Sequence, residues 1–203
     1  MAFLSKALLI AVLLIFLILV AQFNSATTPI IISISVLLSL IGVLFGLLIF
    51  RMDFVILMTM IGIISLAGIV VNNAIVLIDY INLIILRKRK ELQLDKSQKL
   101  TASQLLDCVV EGGKTRLRPV LLTAITTILG LLPLAFGINI NFKTLITQFD
   151  PNFYIGGENV AFWGPMGWAI IFGLTFATFL TLVIVPILYY LINKFKTRQT
   201  ALG

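Results

Sequence analysis

The sequence contains no histidine, one cysteine (Cys108) and eight acidic residues among 203. Without histidine, the side chain that most often titrates near neutral pH and ligates metals is gone. A lone cysteine excludes an internal disulfide and leaves the redox compartment unreadable. Charged residues make up 11% of the chain, against roughly 25% in soluble domains. No nucleophile elbow, phosphate-binding glycine loop or metal-ligand cluster is present. Soluble enzyme chemistry therefore has no support, and the chain is read as a non-enzyme without a cofactor.

What is abundant is apolar. The chain is 60% hydrophobic, with a mean hydropathy of +1.14. It is an integral membrane protein, and its spans leave no room for a large soluble domain. The reading is all-α, a single membrane domain with five transmembrane helices over about 4–22, 29–50, 54–86, 119–136 and 165–193. A cytoplasmic loop is expected over 87–118 and a periplasmic loop over 137–164. The first apolar stretch, Ala7 to Val20, also fits a signal peptide when read alone.

In the second span, Gly42 and Gly46 form a GxxxG pair that lets another helix approach closely. Glycine is also simply common in membrane helices. Within 87–118, LTASQLLDCVVEGG reads as an amphipathic surface helix lying at the membrane. Thr101 and Gln104 fit a capping box, Leu100 and Leu105 a hydrophobic staple, and Gly112-Gly113 a stop. Cys108 on this helix is read as structural. Trp163 and Trp168 flank the entry to the last span as interface anchors.

The net charge of +7 does not point to nucleic acid, because the basic residues lie beside hydrophobic spans. Their partners are read as membrane lipids with anionic head groups. Nine lysines and arginines fall in 87–118 and three after residue 193, whereas the other side receives Lys6, Arg51 and Lys143. The positive-inside rule then makes 87–118 and the C-terminus cytoplasmic. The N-terminus faces outward, which suits a piece of a longer chain.

The third span carries the most informative stretch, GIVVNNAIVLIDY at 68–80. Two amides, Asn72 and Asn73, sit near its middle, and Asp79 follows two turns later on the face of Asn72. Polar groups at membrane depth are costly unless they face protein or water, so this stripe is a functional-site candidate. The amides could equally tie helices together, at roughly 0.6–2 kcal/mol per interhelical bond.

GIVVNNAIVLIDYIN resembles the tenth transmembrane helix of the resistance-nodulation-division (RND) efflux permeases, the AcrB-like hydrophobe/amphiphile pumps. GGKTRLRPVLLTAITTILGLLPLAF resembles the eleventh, with its cytoplasmic lead-in, and FGLTFATFLTLVIVPILYYL the twelfth. AQFNSATTPIII resembles the link between the eighth and ninth, which favours a first span over a signal peptide. The resemblance covers nearly the whole chain.

It implies the C-terminal membrane portion of a proton-driven efflux transporter in the bacterial inner membrane, exporting hydrophobic or amphiphilic compounds. The implied partners are the N-terminal half of the permease and, in the parent trimer, a periplasmic adaptor and an outer-membrane channel. That N-terminal half carries the proton-binding aspartates, so this chain alone is not expected to transport. The resemblance places Asn72 where the best-known drug pumps have a relay lysine. It matches Thr123 to a polar threonine of the eleventh span, with Thr126 and Thr127 beside it, and Arg116 to a proton-release arginine. Asp79 lies where the family often has an acid.

Other readings stay open for each residue. Thr123 could bond its own backbone, Arg116 could anchor lipid, and Asp79 could be an interfacial acid. A stand-alone membrane scaffold, one half of a split transporter, and an exporter of the protein-translocation or lipid-transport type are the alternatives for the whole.

Overall fold

A computed structural model describes residues 2–23, 27–94, 100–139, 146–147, 149 and 153–200. Five helices carry the architecture: α1 (Ala2–Phe23), α2 (Thr27–Ile49), α3 (Ile56–Glu91), α4 (Ala102–Phe136) and α5 (Glu158–Thr200). Each includes a segment long and apolar enough to cross a membrane. At 1.5 Å per residue, α3 to α5 each exceed about 50 Å, well beyond a hydrocarbon core of about 30 Å. At one end α3 overshoots into Arg87–Lys90, α4 begins with Ala102 to Arg118, and α5 runs out through Lys194. This is the basic end of the bundle.

The other end holds the α2–α3 link and a two-stranded antiparallel hairpin. In it β1 (Ile138–Asn139) pairs with β2 (Tyr154–Ile155), Ile138 opposite Ile155. Gly137 opens the hairpin in a left-handed conformation (φ 70°), where a Cβ would lie 2.0 Å from Val160 Cγ2. Asn139 closes it by donating Nδ2 to the carbonyls of Gly137 (3.0 Å) and Gly156 (2.8 Å).

Helix α5 is central, packing against α2, α3 and α4. Helix α1 is peripheral: 6% of its apolar window is buried inside the protein, against 56% for α5. Small residues set the central packing. A Cβ at Gly42 would lie 2.5 Å from Phe176 Cβ, and one at Gly46 would lie 2.4 Å from Phe172 Cβ. The glycine pair of α2 thus receives two phenylalanines one turn apart on α5. Gly173 works in reverse, with Leu66 of α3 and Val43 of α2 against it. The buried hydroxyls of Ser35, Ser39 and Thr178 bond carbonyls of their own helices, so these seams bury few unsatisfied groups.

Two expectations need correction. The surface helix does not stop at Gly112-Gly113; it is the first part of α4, which continues unbroken through Pro119 to Phe136. Gly112 serves packing instead, because a Cβ there would lie 2.6 Å from Ile81 Cγ1 of α3. Membrane helices tolerate proline where neighbouring helices hold them in place. The last helix starts at Glu158, carrying Pro165 inside it. Trp168, at the entry to the last span, stacks on Phe172 and meets Phe136 edge-on.

The capping residues do sit at the start of α4, where Thr101 N–H donates to Gln104 Oε1 at 3.1 Å. Leu100, Leu105 and Cys108 are buried there. Lys96, Lys99, Lys143 and part of the α1–α2 link (residues 24–26) lie outside the described residues.

Candidate functional site

Along α3 one stripe faces away from the rest of the protein. Ser65, Gly68, Asn72, Val76 and Asp79 are all exposed, while the flanking residues at 66, 67, 70, 71, 73, 74, 77 and 78 are buried. The spacing of three and four residues is one helical face. It crosses the middle of the apolar part of α3, which runs from Ile56 to Leu86. Among the described residues, Asn72 and Asp79 have neither a hydrogen bond nor an ion pair.

Helix α4 borders this stripe. Asn73, only 8% exposed, turns toward it and lies 3.4 Å from Thr123 Oγ1. Thr123 Oγ1 is also 2.9 Å from the carbonyl of Val120. One hydroxyl proton cannot serve both acceptors. The Thr123 proton goes to the nearer acceptor, the Val120 carbonyl, and the approach to Asn73 Oδ1 at 3.4 Å is the weaker contact. Thr126 and Thr127 spend their protons on their own helix, at the carbonyls of Leu122 (2.8 Å) and Thr123 (2.7 Å). Gly130, further along α4, has nothing among the described residues near a would-be Cβ, and the same holds for Gly68 on α3.

Toward the basic end, the Arg116 guanidinium lies 4.3 Å over the Tyr80 ring, a cation–π contact between α4 and α3. Its buried Nε has no hydrogen-bond partner among the described residues. The structure therefore joins Asn73 with Thr123, and Arg116 with Tyr80. It leaves Asn72, Asp79 and Thr127 outside that contact set. One polar contact escaped the sequence reading: Tyr189 of α5 donates its hydroxyl to Asn82 Oδ1 of α3. The visible signal was Asn82 itself, an amide in an apolar run, but its partner is 107 residues away.

A polar stripe in the apolar part of a helix bundle is a feature that transporters use, since they place coupling sites between bundles near the midplane. Comparison with known proteins gives the family. Residues 3–141 match the AcrB/AcrD/AcrF family, and the chain belongs to it, among the RND permeases. It is 37% identical over 196 residues to the swarming motility protein SwrC of Bacillus subtilis (strain 168), a match covering 97% of this chain and 16% of SwrC. Similarity to the multidrug resistance protein MdtC of Erwinia tasmaniensis is 28% over 158 residues, 78% of this chain and 12% of MdtC. A crystal structure of a heavy metal efflux pump superposes with a TM-score of 0.68 at 28% identity, over 94% of this chain and 15% of the pump. The matches thus span 12–16% of the length of these relatives.

Proposed function

We propose that this chain is the C-terminal membrane portion of a proton-driven efflux transporter, and that the open α3/α4 face is one side of its coupling site. The observation that carries this reading is the exposed stripe from Ser65 to Asp79 at membrane depth. An amide and a carboxylate facing lipid would be costly. Facing a second helical half, they would be satisfied by partners of complementary chemistry.

In this reading Asn72 donates hydrogen bonds to carboxylates of the N-terminal half and accepts one when they are protonated. Having no charge, it leaves the switching to protonation of those carboxylates. Asn73 and Thr123 hold α3 and α4 in register behind it. Asp79 and Arg116 lie on the exit toward the basic end, which is the cytoplasmic side of an inner membrane. The cargo is a hydrophobic or amphiphilic compound, and the working assembly is a trimer with a periplasmic adaptor and an outer-membrane channel. The substrate-selecting regions belong to the rest of the transporter, so the chain alone does not pump.

The test is proton-coupled export by the full-length transporter in everted vesicles. Asn72→Leu is expected to lower coupled export about tenfold or more, the effect of losing one charge-assisted hydrogen bond. Export that is unchanged in that variant, or coupled export by the 203-residue chain alone in proteoliposomes, would refute the reading. Running the assay with an amphiphilic dye and with a heavy-metal ion separates the two cargo classes suggested by the relatives.

A further inference from the structure

At the hairpin end, away from the α3/α4 face, two cavities meet at one side chain. The first, about 360 Å³, lies between the α2–α3 link and the facing ends of α4 and α5, and Arg51, Asp53, Met52 and Trp168 line it. The second, about 400 Å³, is a groove along α2 and α5 lined by Phe45, Phe50, Phe172, Phe176, Phe179 and Trp168. The indole of Trp168 borders both. Neighbouring residues Phe50 and Arg51 divide between them, one in the apolar groove and one in the charged pocket.

The backbone makes this division unusual. Helix α2 ends in a Schellman motif, with Met52 N–H bonded to Leu47 O (3.0 Å) and Arg51 N–H to Leu48 O (3.3 Å). That motif puts its left-handed residue at a position where glycine is the usual choice. Here the residue is Arg51, with φ 52°. An arginine is less favourable than glycine in this region. Its side chain lines the charged pocket. Arg51 and Asp53 are both exposed and form no ion pair with each other. They present separate charges of opposite sign a few residues from the membrane end of four helices.

We propose that this end of α2 and α5 binds one zwitterionic phospholipid. Arg51 takes the phosphate as a hydrogen-bonding cation. Asp53 takes the head-group ammonium through a charge-assisted hydrogen bond. An acyl chain lies in the phenylalanine groove, whose floor is the glycine–phenylalanine seam. The occupant follows from complementarity: a ligand with adjacent positive and negative groups joined to a long apolar tail fits both cavities at once. An anionic lipid would meet Asp53 as a like charge.

The experiment is native mass spectrometry of the full chain released from nanodiscs of equal parts phosphatidylethanolamine and phosphatidylglycerol. One phosphatidylethanolamine is expected to remain bound, preferred about tenfold over phosphatidylglycerol. Arg51→Gln should lower retention of both lipids about tenfold, the loss of one charge-assisted hydrogen bond. Asp53→Asn should keep the phosphate contact and erase the preference between head groups. Thr175→Trp, which fills the groove without touching the charged pocket, should lower retention of both. Circular dichroism melts of each variant check that the bundle is intact. Equal retention of the two lipids by the parent chain overturns the proposal. So does retention unchanged by Arg51→Gln and Asp53→Asn, or by a folded Thr175→Trp.

Discussion

The two glycine-bearing faces of this bundle look alike in sequence and differ completely in space. On the α2/α5 seam, Gly42 and Gly46 lie under Phe176 and Phe172, and an added Cβ would collide with each. On the α3/α4 face, nothing among the described residues lies within 4 Å of where a Cβ would be on Gly68 or Gly130. Glycine in an exposed helix interior costs about 1 kcal/mol relative to alanine. At the seam that cost is offset by close packing inside the chain. On the open face no packing within the chain offsets it. The difference separates a surface finished by this chain from one that the proposed second half would complete.

Overpacking the seam gives the largest expected effect. Gly46→Val should destabilise the chain by about 1–3 kcal/mol in a steric-trapping or denaturant unfolding assay in bicelles. A neutral outcome would mean that α2 and α5 are not in contact as described. The interhelical bond from Tyr189 to Asn82 comes next: Tyr189→Phe should cost about 1 kcal/mol, since it leaves a part-buried amide without its donor.

Gly68→Ala sharpens the comparison because its sign should depend on context. In the isolated chain it should be neutral or stabilising by up to about 1 kcal/mol, from helix propensity alone. In the full-length transporter it should weaken assembly, read as loss of co-purification of the two membrane halves after a protease site is introduced between them. Stabilisation in both settings would mean that no helix packs on this stripe. The smallest effect is expected at Thr123→Val, about 0.5 kcal/mol, because the 3.4 Å contact to Asn73 is long and the Val120 carbonyl keeps its own helix bond. A loss above about 2 kcal/mol would make the Asn73–Thr123 contact a main support of the α3/α4 packing.

How legible the site was depends on the residue. The exposure of Asn72 and Asp79 on one stripe followed from their spacing, since seven residues return a helix close to the same face. That Asn73 would be the amide turned toward Thr123 did not follow, because the sequence sets only the angle between adjacent amides and the neighbouring helix decides which is covered. The sequence offers Thr123 a tertiary or a local bond, and the structure has its hydroxyl near both acceptors. For Arg116 it offers proton release or lipid anchoring. Its stacking on Tyr80 needed the α3–α4 crossing to be known.

Sequence alone determined the membrane class and the five apolar segments, because burying backbone polar groups in hydrocarbon leaves a long apolar run little choice but a helix. It also marked the polar stripe of α3 and, through its motifs, the family. Tertiary structure decided where the helices continue and what they touch. Gly112-Gly113 reads as a stop by local rules, yet α4 runs through it because Ile81 packs there. The last span, expected over about 165–193, lies in a longer helix that begins at Glu158 beside the hairpin. Trp168 joins an aromatic stack with Phe136, Phe172 and Phe50. Local propensities amount to about 1 kcal/mol or less per residue, and packing over helices this long outweighs them.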